Sequence, residues 1–134
     1  MVRFAVVGLG MGRNRSQLIT ETTGAELACV VDLNEELARK AGEDFGCDWH
    51  TDLDDALGRG DVDVVMVMTP SGLHCDLGVR AAAAGKHVIT TKPMDVSTAA
   101  CDRLITAADT AGVVLGVDYQ SRYVDTNVRV ATAL

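Results

Sequence analysis

The residues of this chain that could do chemistry gather at the ends of its apolar runs. Val2-Arg3-Phe4-Ala5-Val6-Val7 leads into Gly8-Leu9-Gly10-Met11-Gly12, and the next apolar run closes on a carboxylate, Asp32. Alternate glycines let a backbone turn sharply and approach a ligand closely. A helix starting there aims its unpaired N–H groups and positive dipole end at an anion. An acid about twenty residues further on can accept hydrogen bonds from sugar hydroxyls. Together these features predict a dinucleotide, its pyrophosphate over Gly8 to Gly12 and its adenosine ribose on Asp32. In that reading Gly8 makes the turn, Gly10 admits the pyrophosphate, and Gly12 packs the helix on the strand. The motif is imperfect, because Arg13 fills the last slot of Gly-x-Gly-x-x-Gly and Gly12 comes one residue early. A plain strand-to-helix turn is the alternative. Arg13 and Arg15 read equally as phosphate contacts or as solvated surface residues.

Asp32 also bears on which dinucleotide. A carboxylate there suits the free 2′-hydroxyl of NAD and repels the 2′-phosphate of NADP, and no Arg follows immediately to neutralise that phosphate. NAD is the expected cofactor, unless Asp32 merely opens a loop. Two further segments, Thr69-Pro70-Ser71 and Thr91-Lys92-Pro93, close later apolar runs. Lys92 at such a position can donate to a substrate hydroxyl or carbonyl and stabilise developing negative charge; an ordinary surface Lys is the alternative. His74, just after Pro70, reads either as a ligand or substrate contact or as a helix-surface residue. His50 and His87 read as structural. The histidines and cysteines show no metal-ligand spacing, so no metal is expected, and there is no serine nucleophile elbow.

The elements that position these groups follow from periodicity. Phe4–Val7, Leu27–Val31, Val62–Met68, His87–Thr91 and Val113–Val117 are nearly continuous apolar runs rich in β-branched residues, as expected of strands covered on both faces. A weaker strand is expected near Asp48–Thr51. Between them lie helical patterns. One is capped by Asn34, carries Glu35 and Glu36 in its first turn, buries Leu37, Ala38, Ala41 and Phe45, and ends at Gly46. A second runs from about Gly72 to Ala84, with Leu73, Leu77, Ala81 and Ala84 on one face and Gly85 as its stop. A third, capped by Ser97, buries Cys101, Leu104, Ile105, Ala108 and Ala111 before Gly112. The succession predicts an α/β fold: a doubly wound, mainly parallel sheet of about six strands with helices on both faces and right-handed crossovers. Its ligand crevice lies beyond the carboxyl ends of the strands, where all four candidate segments fall.

At 134 residues the chain suits one domain burying roughly two thirds of its unfolded surface. The net charge of -7 argues against nucleic acid or an anionic membrane as partner. Cys29, Cys47, Cys75 and Cys101 form no Cys-x-x-Cys pair and read as free thiols in a reducing compartment. No signal peptide is expected from the opening residues, and no apolar run approaches the ~18 residues of a membrane span. A cytoplasmic location is expected.

The order Val7-Gly8-Leu9-Gly10-Met11-Gly12-Arg13, Val31-Asp32, Thr69-Pro70-Ser71-Gly72-Leu73-His74 and Ala84-Gly85-Lys86-His87-Val88-Ile89-Thr90-Thr91-Lys92-Pro93 resembles the NAD(P)-binding Rossmann domain of the Gfo/Idh/MocA oxidoreductases, across essentially the whole chain. The resemblance implies transfer of hydride between a nicotinamide and a sugar, polyol or related hydroxy compound. It implies that Lys92 is the Lys of the family's Glu-Lys-Pro motif beside nicotinamide and substrate. It also places Thr69, Pro70 and His74 at the cofactor, and His74 and Arg122 on the substrate side. Thr91 stands where the family has Glu, Ser71 where it has Asn, and Arg15 where a His is often found.

By the same resemblance, residues 1–120 form the cofactor domain, and 121–134 begin a helix leading toward a C-terminal substrate domain. The helical pattern through Val124, Val128 and Leu134 has no stop signal, so a catalytically incomplete cofactor-domain fragment is expected. Apolar surface near that helix predicts self-association into a homo-oligomer. The alternative to an oxidoreductase domain is a non-catalytic dinucleotide-binding module with a sensor or assembly role, and a weaker one is a fold that has lost its ligand.

Overall fold

The computed structural model describes residues 1–133. Strands and helices alternate: β1 (Val2–Val7), α1 (Leu9–Glu21), β2 (Ala25–Val31), α2 (Glu35–Phe45), β3 (Asp48–His50), α3 (Leu53–Leu57), β4 (Val64–Val67), α4 (His74–Ala83), β5 (His87–Thr91), α5 (Thr98–Ala111), β6 (Leu115–Asp118) and α6 (Asp125–Ala133). Short 3-10 turns at Ser71–Leu73 and Gln120–Tyr123 precede α4 and α6. All six strands are parallel in the order β3-β2-β1-β4-β5-β6. The order reverses between β1 and β4, and the crevice of an open sheet lies at that point.

Register does the positioning. Val7 of β1 lies level with Val31 of β2 and Val67 of β4, and Val67 lies level with Thr90 of β5. The next residue of each strand exit is therefore Asp32, Gly8, Met68 and Thr91, which form one rim. Strand sides feed two core layers. Val6, Val30 and Leu27 pack with Ala38 and Ala41 of α2 and with Ile19 of α1. On the other face Val7, Val65, Val67 and Val88 pack with Ala81 and Ala82 of α4.

The helix ends follow capping rules. Asn34 accepts from the Leu37 amide and Ser97 from that of Ala100, while Gly46 and Gly112 close α2 and α5 in the left-handed conformation. The helix faces differ from the sequence pattern. In α4 the buried positions are His74, Cys75, Gly78, Ala81 and Ala82, whereas Leu73 and Ala84 are exposed. In α5 they are Ala100, Leu104 and Ala108; Ile105 and Ala111 are exposed and Cys101 is half-buried. In α2 Gly42 is buried and Leu37 exposed. The reason is close approach: small residues face the sheet or a neighbouring helix, and larger ones lie at the flanks. A Cβ on Gly78 would stand 2.9 Å from Leu104 Cδ2 and 3.3 Å from Val88 Cγ1. The pattern also missed α3, whose single turn is capped by Asp52.

No residue of α6 is buried, and Tyr123, Val124, Val128 and Val130 near it are exposed. Leu134, the last residue of the helical pattern read from the sequence, lies outside the described residues. Among the described residues no helix is long and apolar enough to cross a membrane.

Candidate functional site

Each of the three glycines meets a different physical demand. Gly8 has φ 88°, and a Cβ there would stand 2.9 Å from Thr69 Cγ2 and 3.0 Å from the Met68 carbonyl. Its positive φ and the crowding both exclude a side chain. Gly12 is helical, but its Cβ would meet Val6 Cγ1 at 2.9 Å and Met68 Cβ at 3.2 Å, so its bareness lets α1 lie on the sheet. A Cβ at Gly10 would meet nothing within 4 Å. That open space lies at the first turn of α1, where the N-cap residue, Gly8, has no side chain to bond the helix amides. The Leu9 N–H is engaged by Asp32, and the N–H groups of Gly10 and Met11, by their place in the first turn, have no intrahelical partner. This cradle suits a pyrophosphate: donors without partners, the positive end of a helix dipole, and room that a side chain would fill.

Asp32 is half-buried and already at work. Its Oδ2 accepts from the Leu9 N–H at 2.7 Å and its Oδ1 from the Asn34 N–H at 2.9 Å. The carboxylate thus fastens the glycine turn to the exit of β2. A carboxylate has about four lone-pair positions, so two remain for a sugar hydroxyl pair. This bracing role escaped the sequence reading, because nothing in residue spacing reveals the Leu9 contact.

Across the switch point lies the other half of the cleft, about 880 Å³ in all. Gly8 to Met11 and Asp32 line one side, and Thr69, Pro70, His74, Thr91, Lys92 and Pro93 the other. Leu33 and Arg80 also line it and were not singled out from sequence. Leu33 is 91% exposed beside Asp32, and an apolar residue so placed was the signal available. Arg80 holds Asp54 at 2.6 Å. The Thr69 and Thr91 hydroxyls are buried without a partner among the described residues, which leaves unspent hydrogen-bonding capacity on this side. Lys92 is exposed and makes no ion pair among the described residues.

Other expected site residues are placed differently. His74 is 1% exposed and is not a helix-surface residue; its Nδ1 lies 3.0 Å from the Pro93 carbonyl and its Nε2 2.6 Å from that of Thr69. Its ring is spent on backbone, which leaves no ring nitrogen for a substrate. Arg122 sits in the exposed 3-10 turn beside Ser121 and Asn127, and it is not among the residues lining the cleft. Arg13 pairs with Asp44 and covers the Phe45 ring, and Arg15 pairs with Asp118 at 2.8 Å, so both guanidinium groups are engaged with carboxylates in this structure. Asp95 caps α4 from outside, its Oδ2 taking the Cys75 N–H at 3.0 Å and its Oδ1 the Val96 N–H at 2.7 Å. Desolvation works to raise its carboxyl, but backbone donors from Cys75, Val96 and Ser97 and the Cys75 thiol hold it below the usual carboxylate range. Among the described residues no group of His, Cys, Asp or Glu could hold a metal.

Fold and site together define a nucleotide-binding doubly wound domain. Residues 2–119 match the model of the Gfo/Idh/MocA oxidoreductase family, NAD-binding Rossmann fold, and the chain belongs to that family. The chain is 34% identical over 114 residues to a 2,7-anhydro-N-acetylneuraminate hydratase of Mediterraneibacter gnavus, covering 84% of this chain and 30% of that protein. It is 30% identical over 125 residues to scyllo-inositol 2-dehydrogenase (NAD(+)) of Bacillus subtilis, covering 91% and 36%. Among solved structures it resembles the WlbA dehydrogenase from Bordetella pertussis in complex with NADH and UDP-GlcNAcA, at 35% identity and TM-score 0.93 over 98% of this chain and 41% of that one. A further solved relative, a 3-ketoreductase from Actinomadura kijaniata at 26% identity, is a complex with NADP. The chain thus spans only about a third of the curated relatives it matches. What it matches in them is the family's NAD-binding Rossmann fold.

Proposed function

We propose that this domain binds NAD in preference to NADP and presents the nicotinamide beside Lys92 to a sugar, polyol or related hydroxy compound. The observation that carries the reading is the empty space over Gly10 next to the Asp32 carboxylate, on one rim with Lys92. Gly10 and Met11 N–H groups take the pyrophosphate, and the two remaining lone-pair positions of Asp32 take the adenosine ribose hydroxyls. Leu33 offers an apolar wall to the adenine. Because β4 and β5 continue the rim beyond β1, the nicotinamide half falls on Thr69, Thr91 and Lys92.

When bound, the nicotinamide ring gives or takes the hydride. The chain's own residues do the rest. Lys92 donates an N–H to the substrate oxygen and stabilises negative charge as the C–O bond order changes. Its ammonium, which pairs with no acid among the described residues, suits that task. Substrate class, a cytoplasmic setting and self-association through the exposed apolar residues at α6 belong to this proposal, as does the boundary between a cofactor domain over 1–120 and a helix leading onward from 121.

Calorimetric titration with NAD, NADH and NADPH tests the binding half. Heat of binding with an NAD(H) preference is expected; silence from folded protein at millimolar cofactor would refute it. A panel of inositols and nucleotide sugars, followed by NADH absorbance, tests the reaction. Thr91 in the place of the family's acid favours a second reading, a binding module without turnover. Tight cofactor binding with no NADH formed from any substrate supports that alternative.

A further inference from the structure

We infer that the Thr91 hydroxyl is reserved for the carboxamide of a bound nicotinamide, an assignment that rests on the dinucleotide reading above. Thr91 closes β5, is 2% exposed and lines the cleft, yet its Oγ1 has no hydrogen-bond partner among the described residues. Buried polar groups are nearly always paired, so an orphan at a cleft wall points to a partner that arrives with the ligand. The preceding residue supplies a contrast. Thr90 is 0% exposed and equally unpartnered, but successive side chains alternate across a sheet, and Thr90 is not among the residues lining the cleft.

Strand spacing decides which part of the ligand meets Thr91. The strands β2, β1, β4 and β5 are successive neighbours, about 4.8 Å apart. Val31, Val7, Val67 and Thr90 stand level across them. A dinucleotide is two nucleosides joined through a pyrophosphate, so it extends in both directions from its centre. With the pyrophosphate over the exit of β1, the adenosine ribose lies one strand away at Asp32. The second ribose then lies one strand away on the opposite side, at the exit of β4 beside Thr69. The second base lies one strand further, at the end of β5, where Thr91 stands.

Nicotinamide carries one polar substituent, a carboxamide with an N–H donor pair and a carbonyl acceptor. A hydroxyl both donates and accepts, so Thr91 can meet either end of it. The two acids that line the cleft, Asp32 and Asp52, stand after β2 and at the start of α3, so the carboxamide meets a hydroxyl and not a carboxylate. Holding that group stops the ring from rotating about its bond to the ribose. One ring face is then turned toward a substrate beside Lys92, the next residue of the chain.

Paired changes in protein and ligand test this. Calorimetry gives dissociation constants for NAD, for the pyridine adenine dinucleotide that lacks only the carboxamide, and for ADP-ribose. The proteins compared are the parent, Thr91→Val, Thr91→Ser and Thr90→Val. Valine keeps the shape of threonine and removes an unpartnered hydroxyl, so both valine variants should melt no lower than the parent. Thr91→Ala removes the same hydroxyl and stands in for Thr91→Val should that variant not fold. The parent should bind NAD about two- to tenfold more tightly than the pyridine analogue. Thr91→Val should lose that preference with ADP-ribose binding unchanged, whereas Thr91→Ser and Thr90→Val should keep it. Equal affinity of the parent for NAD and the analogue overturns the assignment. So does a preference that survives in Thr91→Val, or a loss there that falls equally on NAD and the analogue. In each of those cases normal ADP-ribose binding leaves the dinucleotide reading standing; a parent that binds none of the three ligands overturns both.

Discussion

Replacing Asp32 by Ala or Asn separates two jobs that one carboxylate performs. The Ala change strips the Leu9 N–H of its 2.7 Å partner, and Leu9 is only 5% exposed. An orphaned buried donor costs about 1–3 kcal/mol, so the variant should melt earlier. Bonds to a charged acceptor contribute about 1.5–3 kcal/mol, and their loss should weaken NAD binding roughly ten- to 150-fold. For NADP the sign reverses. At about 4 Å and an effective dielectric near 20, two unit charges repel by about 4 kcal/mol. Removing the carboxylate therefore relieves a penalty of up to almost a thousandfold against a 2′-phosphate. Asn keeps an acceptor for the glycine turn but not the charge. It should restore most of the thermal stability while still narrowing the gap between the two cofactors. Calorimetry with NAD and NADP, beside thermal melts of all three proteins, reads both quantities. An NAD-to-NADP affinity ratio unchanged in folded Asp32→Asn and Asp32→Ala would refute the assignment of this acid to the ribose.

Gly10→Ala should fold with parental stability, because its Cβ meets nothing within 4 Å, yet lose dinucleotide binding; undiminished affinity would remove the cradle from the account. Gly12→Ala should do the opposite first, lowering the melting temperature through overpacking of about 1–3 kcal/mol against Val6 and Met68. Acid unfolding should report on the strand β1 pair: hydrogen bonds from the Arg3 side chain and backbone N–H lower the Asp63 carboxyl to about 2. Its folded value is depressed, so its contribution is complete above the ordinary carboxylate range and is lost as pH falls toward 2. Asp63→Asn should flatten stability over that interval, and an unaltered acid limb would contradict this. Burial pushes the Cys29 and Cys75 thiols up to about 12, so neither should react with iodoacetamide at pH 8 until the protein unfolds, as peptide mass mapping would reveal.

Much of this architecture was legible because parallel strands buried on two faces leave continuous apolar runs, and because Asn34, Ser97, Gly46 and Gly112 mark helix ends by local chemistry. The rim followed from topology alone: Gly8, Asp32, Thr69 and Lys92 each end a strand run. Helix faces were less legible. Apolarity pointed to Leu37, Leu73 and Ile105, whereas close packing chose Gly42, Gly78 and Ala100, and size at a contact is a tertiary property. His74 shows the same limit. Its place at the start of α4 was readable, but its burial against two carbonyls depends on where the Lys92-Pro93 turn comes to rest. Likewise, the partners of Arg13 and Arg15 come from α2 and the end of β6, distant in sequence.

The central claim is best tested by a crystal structure of this protein grown with NADH. Pyrophosphate oxygens against the Gly10 and Met11 amides, the adenosine ribose on Asp32 and the nicotinamide on the Thr91–Lys92 side are the expected result. A dinucleotide lying in the reverse sense, or bound away from this rim, would contradict it.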